Sequence, residues 1–350
     1  MNIKRTITIL ISVLFAVGII YVAQRLVMPK YVDDIVEGGM VSEFYDEPDK
    51  SFDVIFVGDC EVYENFSPAR LWSEYGINSY IRGSAEQYIF QSYYLLEDTL
   101  DYCTPKAVVF NIQSLQFDES RSEAYNRMSI DGMRWSKNKI GSIKASMTDE
   151  ENMIEYIFPI LRFHSRWNEL NMNDVRYMWK HKKVTHNGYY MRVDVRPAEN
   201  IPAAKPLGDY SFGDKAWEYL DRIRMSCEEK GIELILIKAP SLYPYWYPEW
   251  DEQVKEYADV YDLQYINFLE HTDEIGIDYN TDTYDGGLHM NLSGAEKCSD
   301  YLGAILVEEY DVPDRRSDAT LKSLWDTKLK DYESEIEYQK ELYGIKDNVE

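Results

Sequence analysis

The chain has 350 residues, 45% of them hydrophobic, and a net charge of −25. That length and apolar content give one large domain a full core and exclude global disorder. The acidity argues against nucleic acid or an anionic membrane as the main partner of the whole chain.

Thr6 to Ala23 carry no charge and follow Lys4 and Arg5. As helix, this stretch spans about 27 Å, close to the roughly 30 Å of a bilayer core. It is predicted as an uncleaved transmembrane anchor within residues 1–30. A secretory signal is the rival reading, but Tyr21-Val22-Ala23 lacks the small-x-small pattern of a cleavage site. Lys4 and Arg5 on the short side predict a cytoplasmic N-terminus and a single pass, with the rest of the chain extracytoplasmic.

Residues 31–51 read as an acidic linker. It carries Asp33, Asp34, Glu37, Glu43, Asp46, Glu47 and Asp49, taken as a solubilising surface. From residue 52 to 310, short apolar runs alternate with helical patterns, the signature of an α/β domain with a mainly parallel sheet. Strands are predicted at Asp53–Val57, Asn78–Ile81, Lys106–Ile112, Ile232–Ile237 and Leu263–Phe268. Helices are predicted at Pro68–Tyr75, capped by Ser67, and at about 86–100, 213–230 and 293–309. Residues 118–212 have weak sheet character and read as a helical insertion that builds a cap or partner surface. Residues 311–350 read as a charged helix with an apolar stripe of Leu321, Leu324, Trp325 and Leu329.

Two segments carry candidate chemistry. Asp53–Val57 runs into Gly58-Asp59-Cys60, a tight turn that can present a nucleophile at a strand end. Far downstream, Asp285-Gly286-Gly287-Leu288-His289 can supply a base with its own orienting carboxylate. A nucleophile, a base and an acid are what acyl transfer requires. Arg82-Gly83-Ser84 ends the second strand, Asn111 the third, and Lys238-Ala239-Pro240-Ser241 follows the fourth. Cys60 could instead be a small buried residue or a redox-responsive thiol, and Ser241 is the alternative nucleophile. Cys103, Cys227 and Cys298 show no metal spacing, and Cys227 and Cys298 read as buried apolar residues. His164, His181 and His186 lack ligand spacing and read as structural. No metal or cofactor is expected. Thirty tyrosines and eight tryptophans offer flat faces suited to sugar rings, though ordinary packing accounts for many of them.

With these blocks in order (Val57-Gly58-Asp59-Cys60, Arg82-Gly83-Ser84, and Asp285 to His289 followed by Met290 to Glu296) the chain resembles the SGNH/GDSL hydrolase superfamily. It is most similar to the membrane-anchored branch near the teichoic-acid D-alanine-transfer protein and the exopolysaccharide O-acetyltransferases. The resemblance spans roughly Asp53 to Glu309 and covers the insertion poorly. It implies a three-layer, flavodoxin-like parallel sheet and a Cys60–His289–Asp285 triad. An oxyanion hole would be built by the N–H groups of Cys60 and Gly83 and by Asn111. Cysteine replaces the usual serine, and Asp-x-x-x-His replaces the commoner Asp-x-x-His. The helix terminus after Gly58 is expected to lower the thiol pKa. The implied activity is removal or transfer of an acyl group, acetyl being favoured, on a cell-envelope glycan, with a membrane-bound O-acyltransferase as partner where transfer occurs. The alternative is a catalytically degenerate protein that binds glycan or assists such a partner.

Overall fold

The computed structural model describes residues 3–29, 38–179 and 183–345. Five strands form one all-parallel sheet: β1 (Val54–Gly58), β2 (Ser79–Gly83), β3 (Ala107–Asn111), β4 (Glu233–Lys238) and β5 (Gln264–Asn267), in the order β2-β1-β3-β4-β5. Each lies within a few residues of its predicted position. Alternate side chains point to opposite faces, and both faces are buried. Val54, Phe56, Val109, Ile235 and Ile237 belong to one apolar cluster, whereas Ile55, Val57, Val108, Leu234 and Leu236 belong to another. Burial on both sides explains why these strands read as continuous apolar runs.

Helices Pro68–Tyr75, Leu292–Glu308 and Ala319–Tyr343 cover the first face. Helices Ile89–Leu100, Asp214–Lys230 and Pro248–Tyr261 cover the second. The arrangement is α/β and compatible with a three-layer fold. Ser67 caps the first of these helices by accepting from Arg70 N at 3.3 Å, and Pro68 occupies its first turn.

Two segments differ from their sequence reading. Gly39–Asp46, assigned to the linker, is a helix that buries Met40, Val41, Phe44 and Tyr45. Two of the supposed surface acids of this linker stretch are structural. Glu43 accepts from Val184 N at 2.7 Å and from the Thr185 hydroxyl, and Glu47 meets Lys328 at 2.5 Å. The pattern failed there because a short helix with four apolar residues is hidden by its acidic neighbours. Asp33, Asp34 and Glu37 lie outside the described residues. The C-terminal helix is less of an appendage than its charge suggests. Leu321 and Trp325 are buried, Trp325 stacks on Trp72 at 5.1 Å, and its Nε1 donates to Asn78 at 3.0 Å.

The helix Ile3–Val27 is long and apolar enough to cross a membrane, and its apolar window is wholly unburied by the rest of the chain. The insertion consists of short helices, Glu123–Ile130, Lys137–Ser146, Met153–Ile157, Ile160–Phe163 and Met172–Tyr177, with a 3-10 turn at His164–Asn168. Irregular chain from 190 to 213 then returns to the sheet.

Trp325→Ala should cost about 3–5 kcal/mol, the range for deleting a buried aromatic side chain, measured by chemical denaturation of the full chain in detergent. A loss below about 1 kcal/mol would mean that the C-terminal helix is not part of the core.

Candidate active site

In a parallel sheet every strand ends on the same edge, so the turns after β1, β2, β3 and β4 meet there. The chain leaves β1 first to one side and then to the other, which opens a crevice beside its carboxyl end. Gly58 makes the turn possible: a Cβ on it would lie 2.4 Å from Val62 Cγ2 and 3.0 Å from Asn111 Cβ. Asp59 then caps the short helix Cys60–Tyr63 by accepting from Glu61 N at 3.1 Å. Cys60 is the first residue of that helix, where a backbone N–H has no intrahelical partner. Gly83 pairs with Gly58 at the end of the β1–β2 ladder, and a Cβ there would lie 3.1 Å from Gly58 O and 3.3 Å from Asp59 O.

The distant segment arrives at this edge on a built turn. Gly286 and Gly287 both have positive φ, at 88° and 101°, which side chains other than glycine rarely adopt. The double glycine lets Asp285 fold back onto His289 twice. Its Oδ1 accepts from the His289 backbone N–H at 2.9 Å, and its Oδ2 meets Nδ1 at 2.7 Å. The longer Asp-x-x-x-His spacing is thereby accommodated. Met290 N donates to Asn65 Oδ1 at 2.8 Å, tying this segment to the chain that follows the β1 turn. With Nδ1 held by Asp285, Nε2 is the free face of the ring. It is buried and makes no hydrogen bond of ordinary geometry, yet Cys60 and the imidazole act on each other as neighbours. Such bonds are often long before substrate binds.

The neighbourhood is rich in acid that sequence reasoning missed. Glu64 Oε2 lies 3.4 Å from His289 Nδ1 and accepts from the Tyr284 hydroxyl, while the Tyr284 ring stacks on the imidazole at 6.0 Å. Glu61 forms a fully buried ion pair with Lys238 at 2.8 Å. The only signal for these roles was the acidic run Cys60-Glu61-Val62-Tyr63-Glu64, together with a lysine at the end of an otherwise apolar strand.

Burial opposes an imidazolium at His289, but Glu64, Cys60 and Asp285 outweigh it and raise its pKa well above the usual value. The thiol moves against expectation. Burial first, then Asp59 and Glu64, push Cys60 up to about 11 despite the opposing pull of His289. The terminus of a one-turn helix is too weak to overcome burial and the two carboxylates of Asp59 and Glu64. Cys60 as a whole residue keeps partial exposure.

Asn111 also serves differently from expectation. Its Nδ2 donates to Asp59 Oδ1 and to Glu61 Oε2, both at 3.1 Å, and its Oδ1 accepts from Ala239 N at 3.2 Å. Its amide braces the sheet edge and has no donor to spare in this arrangement. Ser241 is fully buried. Next to the acid, a cleft of about 400 Å³ is lined by Arg196, Asn200, Ile201, Tyr243, Asp285 and Gly286.

The remaining cysteines, Cys103, Cys227 and Cys298, are free and buried. His164 is exposed and its Nδ1 meets Leu161 O at 3.0 Å, whereas burial and Lys183 lower His186 to about 4. His181 lies outside the described residues. Among the described residues no cluster of three or more His, Cys, Asp or Glu side chains is arranged to hold a metal ion. Compared with known proteins, the chain matches no family profile and no curated sequence.

Two predictions follow from this charge pattern. Lys238→Met, which strands Glu61, should destabilise by about 3–5 kcal/mol. The double variant Lys238→Met/Glu61→Leu should recover most of that loss in the same denaturation assay. His289 has a folded pKa above its unfolded value, so its contribution to stability is complete below about pH 6.5. That contribution declines as pH rises through the raised value. The stability gap between the parent and His289→Gln should therefore narrow from pH 6 to pH 9, and a gap that widens would refute the assignment.

Proposed function

We propose that the chain is an SGNH-type, extracytoplasmic ester hydrolase or O-acyltransferase, anchored by Ile3–Val27 with Lys4 and Arg5 in the cytoplasm. What supports this reading is that Asp285 holds Nδ1 of His289 at 2.7 Å while the imidazole and the Cys60 thiol influence each other's protonation. In the proposed cycle, neutral His289 takes the Cys60 proton at Nε2 and the sulfur attacks the ester carbonyl. The N–H groups of Cys60 and Gly83 receive the oxyanion. The carbon–oxygen bond breaks, His289 returns the proton to the departing alcohol, and a thioester remains on Cys60. Water, or a hydroxyl of an acceptor glycan, then attacks the thioester with His289 as base, which releases the acyl group and restores the thiol. Acetyl esters of a cell-envelope glycan suit the aromatic composition, and transfer would require a membrane-bound acyltransferase partner to supply the acyl group.

One observation favours a second reading. A thiol held up at about 11 beside a readily protonated imidazole is a poor resting nucleophile. A degenerate protein that binds acylated glycan without turnover would tolerate it.

The test is hydrolysis of p-nitrophenyl acetate by the full chain in detergent beside Cys60→Ala and His289→Ala. Each variant should lose about 10³-fold or more in kcat/KM, and a peptide containing Cys60 should gain one acetyl group in the parent alone. The parent rate should climb as pH rises above neutrality, because the base must first shed its proton. Equal turnover by all three proteins would remove the catalytic reading. Activity that emerges only in Cys60→Ser would establish the degenerate one.

A further inference from the structure

The insertion contains a stretch whose apolar residues face outward. From Ile154 to Trp179, the side chains of Ile154, Phe158, Leu161, Trp167, Met172 and Trp179 are all exposed, Met172 at 64% and Trp179 at 81%. The helix Ile160–Phe163 and the turn His164–Asn168 bury no residue at all. Helices of four to six residues are not stable in water on their own. Six large apolar side chains exposed within 26 residues of a folded domain mark an interaction surface.

The location of the stretch identifies what covers it. Ile160–Phe163, His164–Asn168 and Met172–Tyr177 all pack against the anchor helix. Arg166 Nη1 donates to the carbonyl of Val27 at 2.8 Å. Val27 lies four residues beyond Ala23, the end of the uncharged stretch, hence about 6 Å further along the helix axis. The headgroup layer on each side of the hydrocarbon is about 5–8 Å thick. A segment fixed to Val27 therefore rides at headgroup level.

Its chemistry fits that level. Tryptophan is the residue most at home at a membrane interface. Residues 154–179 carry three basic against three acidic residues, a locally neutral stretch in a chain of net charge −25. The acidity of the whole chain opposes general adhesion to an anionic surface, and this stretch is free of that net negative charge where the anchor emerges.

We propose that residues 154–179 form an interfacial collar that lies in the outer-leaflet headgroup region around the exit of the anchor helix, its partner being the lipid bilayer itself. The collar rests on the reading of Ile3–Val27 as a bilayer anchor. It would fix the domain against the membrane and give the site one preferred orientation toward substrates at the envelope surface.

The experiment reconstitutes the full chain into phosphatidylcholine–phosphatidylglycerol vesicles, with and without lipid brominated near the headgroup, and recovers them by flotation. Tryptophan emission is then compared with that of the Trp167→Phe/Trp179→Phe double variant, which keeps the surface apolar. Protein that floats should be quenched by the brominated lipid, and the double variant should lose at least half of that quenching. Floating protein with no quenching, or with equal quenching in the variant, overturns the collar while leaving the anchor intact; the surface would then belong to a membrane-protein partner. Protein that fails to float overturns both readings.

Discussion

Three acids follow the β1 turn in quick succession, Asp59, Glu61 and Glu64, and all three are buried at one edge of the sheet. Buried carboxylates must be paired or protonated. Glu61 takes Lys238 from the end of β4, and Glu64 takes His289 from the distant loop. Asp59 receives only hydrogen bonds, from Asn111 and from Glu61 N, and burial together with Glu61 raises its pKa. The position of His289 and the protonation of Cys60 are consequences of how this charge is distributed. The same need for pairing explains why Asn111 is drawn inward as a brace.

The acid that surrounds the imidazole has two opposing effects. Asp285 and Glu64 fix the ring and stabilise its charged form. Burial above all, and then Asp59 and Glu64, raise the neighbouring Cys60 thiol, because a thiolate would add one more negative charge among carboxylates. A hydroxyl nucleophile is indifferent to this conflict, since it is never free as an anion. A sulfur feels it directly.

The anchor and the insertion belong to the same physical problem. A domain joined to a long apolar helix by one flexible connection would be free to turn about it. Packing the insertion helices against the end of the anchor, with Arg166 on the Val27 carbonyl, restricts that freedom. The segment Val184–Arg192 links this region to the site. Val184 and Thr185 hold Glu43, Tyr190 N donates to Tyr63 O at 2.8 Å, and the Arg192 guanidinium lies 4.5 Å from the centre of the Tyr284 ring.

Sequence alone determined the elements whose physics is local. An uncharged helix-length run, five apolar strands, the Ser67-Pro68 helix start and the two glycine-bearing turns were all legible, because burial on two faces and special φ values restrict residue choice at each position. The pairing of Asp285 with His289 was legible for the same reason. What only the tertiary structure decided is which partners the buried charges find. Glu64 at the imidazole, Lys238 on Glu61, the raised thiol and the inward turn of Asn111 each depend on side chains as far as 225 residues apart in the chain. A polar residue in an apolar pattern announces that it needs a partner but does not name one; electrostatic pairing acts through space, and only the folded sheet edge sets those distances.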